Sequence, residues 1–113
     1  MIERRKYLRI REEDLITCEV LPSHKIGKGL TENLSIGGIR FFIEEFIPIA
    51  SILRVELKLK HADREINAIV KVKWVRQVFS DEQYDVGAEF IDISSEDIKF
   101  LNNYLYKRAK GTD

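Results

Sequence analysis

Cysteine is nearly absent from this 113-residue chain, Cys18 being the only one. A single thiol excludes an intrachain disulfide and a thiolate metal cluster. Its place in the alternating run Leu15-Ile16-Thr17-Cys18-Glu19-Val20 marks it as a small core residue. Histidine is scarce too. His24 and His61 fall in polar turns with no partner at ligand spacing, so they read as surface residues and no metal site is expected. No apolar run approaches the roughly 20 residues that span a bilayer. The charged N-terminus lacks the apolar segment of a signal peptide, so the expectation is a cytoplasmic protein with no transmembrane segment. An excess of one charge is also missing. Lys plus Arg number 19 and Asp plus Glu 19, which argues against a surface that grips nucleic acid or acidic membrane as a whole. There is no phosphate loop or dinucleotide fingerprint, and Ser35 has no histidine near it in sequence. The pairs Glu44/Glu45 and Glu96/Asp97 suit a turn and the first turn of a helix. No catalytic residue is expected, and no enzyme.

What is present is strand periodicity. Leu15 to Val20 forms a first strand, ended by Pro22. A second runs from Gly27 to Leu34 and a third from Ile39 to Ile43, the latter placing Arg40 and Phe42 opposite Ile39, Phe41 and Ile43. Leu53, Val55, Leu57 and Leu59 alternate with charged residues, as a half-buried strand does. After a turn at residues 61–64, Ile66, Ala68, Val70, Val72 and Trp74 alternate, and Tyr84, Val86, Ala88 and Phe90 follow. Trp74, Tyr84 and Phe90 are therefore assigned to the core. Then the period becomes helical at Ile98, Leu101 and Leu105, with Phe100 and Tyr104 beside them, Ser94 and Asp97 as a capping pair and Gly111 as a stop. The expected fold is mainly β: a small six-stranded antiparallel β-barrel with a C-terminal α-helix, by a meander or Greek-key route of local pairings. Residues 1–13, without period and dense in charge, are expected to be an exposed basic arm, and 14–113 the single barrel domain.

Two stretches stand outside the core pattern. In Asn33-Leu34-Ser35-Ile36-Gly37-Gly38, an extended backbone projects Asn33 and Ser35 to one face. Gly37 and Gly38 leave bare backbone that permits positive φ and close approach of a ligand. Such a corner is commonly only a turn, but it also suits a small, polar, anionic ligand. The arm carries Arg4, Arg5, Lys6, Arg9 and Arg11. Charge alone makes a solvated tail. Arginine's planar fork also binds phosphate, pairs with the O6/N7 edge of guanine and stacks on a base. Together the two stretches form a two-part site for a guanine nucleotide.

Arg4-Arg5-Lys6-Tyr7-Leu8-Arg9 followed by Asn33-Leu34-Ser35-Ile36-Gly37-Gly38 resembles the PilZ domain family, whose paired motifs are RxxxR and [DN]xSxxG. Arg5 and Arg9 match the first, and Asn33, Ser35 and Gly38 the second. Trp74 late in a long strand, the run Tyr84-Asp85-Val86-Gly87-Ala88-Glu89-Phe90 and the terminal helix also look like the family's second half. The resemblance implies a bacterial receptor for cyclic di-GMP with no cofactor. It implies a ligand site of Arg4, Arg5, Arg9, Asn33, Ser35, Gly37 and Gly38, with Arg40 at the rim. Arg5 and Arg9 would meet phosphate and guanine, Asn33 the guanine N1/N2 edge, and Ser35 phosphate or base. Gly38 would keep the surface low. Asn33, in place of a carboxylate, gives up charge-assisted bonds to guanine. A basic residue at Arg4 goes in the family with two stacked ligand molecules, and a second pair of phosphates needs such a cation. The ordered arm would present a surface to a separate effector protein. Two other readings remain. One is a protein-interaction barrel of this fold that binds no nucleotide. The other is a single-stranded nucleic acid binder, against which counts the lack of exposed aromatics interleaved with Lys or Arg on the strands.

Overall fold

The computed structural model describes residue 10 and residues 13–78 and 82–109. Strand alternation becomes structure most plainly in β4 (Ile52–Leu59), where Leu53, Val55, Leu57 and Leu59 are buried and Arg54, Glu56 and Lys58 are exposed. The other strands are β1 (Leu15–Leu21), β2 (Lys25–Leu34), β3 (Gly38–Ile43), β5 (Arg64–Gln77) and β6 (Tyr84–Ile93), and one helix, α1 (Ser95–Ala109), follows. All pairings are antiparallel, and the order β1-β2-β3-β6-β5-β4 closes on itself because β4 also pairs with β1. Two three-stranded meanders are thus joined along β1·β4 and β3·β6. Placing β4 beside β1 makes the first four strands a Greek key, so the pairings are not all local as expected. Among the described residues, closure leaves no open sheet edge.

Inward residues of all six strands fill the barrel, Cys18 among them. Ile47, from the β3–β4 connection, joins the same core. Helix α1 adds Leu101, Tyr104 and Leu105. Ile98, expected on that stripe, is 42% exposed, and Tyr104 takes the inner place. Ser94 caps the helix by accepting the Asp97 amide proton at 3.1 Å. The Asp97 carboxylate bonds Arg64 on β5 at 2.8 Å, and the Arg64 guanidinium lies 4.4 Å from the Phe100 ring centroid. Gly111, the expected stop, lies outside the described residues.

Ile10 departs from the expectation of a wholly exposed arm. It is 7% exposed, and its backbone exchanges two 3.1 Å hydrogen bonds with Leu34. Asp14, also buried, donates its amide to Thr31 Oγ1 and accepts from the Lys60 amide. An apolar residue hidden among charges is thus clipped to the end of β2.

The ladders shift register at three places, one of which leaves Ile91 surplus on β6, and the other two are bulges that shape the outer surface over β3. Thr31 pairs with Phe41 and Asn33 with Arg40, leaving Glu32 surplus on β2. Val72 pairs with Ala88 and Trp74 with Gly87, leaving Lys73 surplus on β5. A bulge shifts the inward–outward phase by one residue. Consequently Val72 and Val75, three apart, turn toward the core, while Trp74 turns out and is 40% exposed. Tyr84 and Phe90 are half-buried against the core. The assignment of Trp74 to the core was wrong because its apolar alternation runs unbroken through a bulge.

Candidate functional site

The two bulges sit at one level of the sheet. Across β2, β3, β6 and β5 the register places Asn33 beside Arg40, Arg40 beside Gly87 and Gly87 beside Trp74. This outward row floors a cleft of about 260 Å³, lined also by Ser35, Gly37, Gly38, Lys73 and Glu89. The rows on either side, through Leu34–Ile39–Ala88–Val72 and Thr31–Phe41–Val86–Val75, pack inward. The cleft therefore stands on the core's own ladder.

Gly87 makes the middle of the floor. A Cβ there would land on Trp74 Nε1 and Cε2, so only glycine lets the indole lie across β6. On the other side of Gly87, the Arg40 guanidinium carbon is 5.6 Å from the Trp74 ring centroid, a cation–π distance. Arg40 is in turn gripped from beneath. Its Nε and Nη2 donate to Asp85 Oδ1 and Oδ2 at 2.9 and 2.6 Å, and Arg76 Nη2 donates to Oδ2 at 2.7 Å. Asp85 lies on the outer face of β6, yet its side chain is only 1% exposed under the two guanidinium groups. Burial pushes its carboxyl up, but hydrogen bonds and charge from Arg40 and Arg76 outweigh this and hold it below the ordinary value. The same hydrogen bonds raise Arg40, which stays charged.

The Asn-Ser-Gly corner is an ordered turn. Ser35 is buried, its Oγ accepting from the amides of Gly37 and Gly38 at 3.1 and 3.2 Å. That hydroxyl also donates to the Gly38 carbonyl at 3.3 Å. A Cβ on Gly38 would strike the carbonyl oxygen of Ala88, and its φ is outside the left-handed region. Close approach of β3 to β6 is thus a reason within the fold for that glycine. Asn33 is half-buried and lines the cleft. Hence the structure brings Asn33, Ser35, Gly37, Gly38 and Arg40 together, while Arg4, Arg5 and Arg9 lie outside the described residues.

Sequence reasoning missed Trp74, Lys73, Asp85 and Glu89 as parts of the site. The signal for Trp74 was present: the chain's one tryptophan, late in a strand, with Lys71 and Lys73 before it and Arg76 after it. Exposed Trp74 between Lys71, Lys73 and Arg76 also overturns the expectation that no exposed aromatic is interleaved with cations on a strand. Among the described residues, no group of three His, Cys, Asp or Glu side chains is placed to hold a metal. No helix among them is long and apolar enough to cross a membrane.

The sequence model of the PilZ domain matches residues 3–107. The chain belongs to the PilZ domain family. Among solved structures it resembles the Bacillus subtilis inhibitor of motility MotI/DgrA, with a TM-score of 0.82 and 21% identity over 97% of this chain and 53% of that one. It resembles the PilZ domain with c-di-GMP of YcgR from Escherichia coli, with a TM-score of 0.71 and 16% identity over 96% of both chains. The K. pneumonia MrkH–c-di-GMP complex matches with a TM-score of 0.73 and 19% identity over 99% of this chain and 56% of that one. At these identities the likeness is one of fold. The chain spans about half the length of the MotI/DgrA and MrkH chains. No curated protein sequence matches it.

Proposed function

We propose that this PilZ domain is a receptor for cyclic di-GMP and acts as an adaptor, without catalysis of its own. The observation that carries the reading is the cleft. Asn33, Ser35 and Gly38, which match the family's second motif, share it with Arg40, Lys73 and the open face of Trp74. Cations and an indole suit a ligand made of phosphates and purine bases. Support also comes from family membership and from YcgR and MrkH, which were solved with c-di-GMP.

Arg5 and Arg9 complete the site in this reading. Ile10, next in the chain to Arg9, is bridged to Leu34, which lies between Asn33 and Ser35 in sequence. The described residue next to Arg9 is therefore held beside Asn33 and Ser35, which line the cleft. Ordering about five residues costs on the order of 1–2 kcal/mol each, against roughly 8 kcal/mol for a micromolar complex. Several charge-assisted contacts are needed to offset that, and Arg4, Arg5 and Arg9 supply them. Arg4 adds the cation for a second, stacked ligand molecule. The ordered arm then offers a new surface to an effector protein.

Calorimetric titration with cyclic di-GMP tests this. Binding should be saturable with a stoichiometry near two, and near one for Arg4→Leu. Arg5→Ala and Arg9→Ala should each weaken it by about tenfold or more while leaving the melting temperature in place. Failure of the native chain to bind refutes the receptor reading and leaves a protein-interaction barrel. Trp74 among Lys71, Lys73 and Arg76 also favours single-stranded nucleic acid. Single-stranded RNA that displaces labelled cyclic di-GMP at comparable concentration would move the assignment there.

A further inference from the structure

Glu32, the surplus residue of the β2 bulge, has no place in the strand ladder. Bulges re-aim side chains, and this one turns Glu32 onto Arg40, with Oε2 3.0 Å from Nε. That Nε already donates to Asp85 Oδ1, and Glu32 Oε2, though shut off from solvent, makes no hydrogen bond. Glu32 thus touches Arg40 by charge alone. The two carboxylates hold the guanidinium differently. Asp85 grips it with two hydrogen bonds from a side chain only 1% exposed, whereas Glu32 adds no hydrogen bond and its side chain is 30% exposed as a whole. Asp85 uses Nε and Nη2 and leaves Nη1 on a residue that lines the cleft. Counting charges, Arg40 and Arg76 are balanced by Asp85 and Glu32, so the cluster beside the cleft is neutral.

We propose that Glu32 is a built-in competitor for the phosphate of the ligand on Arg40, and that Asp85 is the positioning residue that keeps Arg40 in the cleft during the exchange. This rests on the cyclic di-GMP reading above and adds a regulatory element to it. The phosphate approaches Arg40 by way of Nη1, and its charge displaces Glu32, the carboxylate held there without a hydrogen bond. Loss of that ion pair is charged against every binding event, and Glu32 therefore shifts the working range of the receptor to higher ligand concentration. Asp85 stays bound throughout.

Cyclic di-GMP titration of a double-mutant set tests the proposal. Glu32→Gln keeps shape and removes charge, and it should tighten binding roughly fivefold at low salt, with less gain in strong salt. The gain should vanish in the Arg40→Met background. Glu89→Gln, which removes another carboxylate at the cleft, should tighten binding equally with or without Arg40. Asp85→Asn should weaken binding and abolish the gain from Glu32→Gln. Unchanged or weaker affinity of Glu32→Gln overturns the proposal, as does a gain that survives Arg40→Met, since the effect would then be diffuse electrostatics. If the native chain binds no cyclic di-GMP, the receptor reading fails and this proposal with it; if it binds and Glu32→Gln is indifferent, only this proposal fails.

Discussion

Asp85→Asn should cost about 3 kcal/mol of folding stability at neutral pH. The carboxylate accepts three hydrogen bonds, two from Arg40 and one from Arg76. Asparagine keeps one oxygen and turns an NH2 group toward guanidinium donors, so at least one bond becomes a donor–donor clash and the charge is lost from all. A hydrogen bond to a charged group contributes about 1.5–3 kcal/mol. Arg76 is 66% exposed, and its share falls to about 1 kcal/mol or less. Arg40 carries the rest, partly relieved by Glu32 close by. For a domain near 100 residues, about 3 kcal/mol lowers the melting temperature by roughly 12 °C. The pH dependence gives a second handle. The folded Asp85 carboxyl titrates below its ordinary value of 3.8, so the unfolded chain binds the proton more readily. The stabilisation is complete above that ordinary value and disappears as pH falls through the lower folded one. Urea denaturation followed by far-ultraviolet circular dichroism should show a constant gap between native and variant from pH 7 to 5. The gap should narrow below pH 4. A difference under about 1 kcal/mol at pH 7, or one that persists unchanged to pH 3, would refute the account of Asp85.

Other variants probe the remaining parts. Gly87→Ala should drive the indole of Trp74, the single tryptophan of the chain, off β6; a red-shifted emission more open to iodide quenching is expected, and an unchanged spectrum would contradict the packing. Gly38→Ala should cost about 2 kcal/mol in urea denaturation without any ligand, because the added methyl meets backbone at Ala88; a loss of ligand affinity alone would mean that the glycine serves the ligand only. Ile10→Ala should lose about 2 kcal/mol, at the low end for a buried isoleucine, and should weaken cyclic di-GMP binding by loosening the tether of the arginine stretch. Affinity equal to the native value would separate that stretch from the site.

Much of the barrel was readable because its strands are half-buried. β4 alternates without a fault, and the period change at Ser94 marks the helix. Asn33, Ser35 and Gly38 were readable as a corner since turn chemistry is local. What escaped was set by pairings distant in sequence. Arg40 and Asp85 are 45 residues apart and meet only because β3 closes against β6. Trp74 was placed on the wrong face because a surplus residue changes the phase of a strand while leaving the apolar spacing on either side intact. Ile10 was hidden by the charges around it, and its partner Leu34 belongs to another element.

The surplus residues on β2 and β5 also determine where the chain tolerates shortening. Removing one residue from the middle of a strand ordinarily inverts every side chain beyond the cut. Without Lys73, however, Val72, Trp74 and Val75 would follow one another opposite Ala88, Gly87 and Val86, each still facing as it does now. Without Glu32, Thr31, Asn33 and Leu34 would fall into step with Phe41, Arg40 and Ile39 in the same way. A scan of single-residue deletions along these strands should therefore find two permissive positions among intolerant neighbours. Barrels lacking Lys73 or Glu32 should fold while their outer surface flattens, so that the length of the chain, rather than any one side chain, separates a plain barrel from one that carries a cleft.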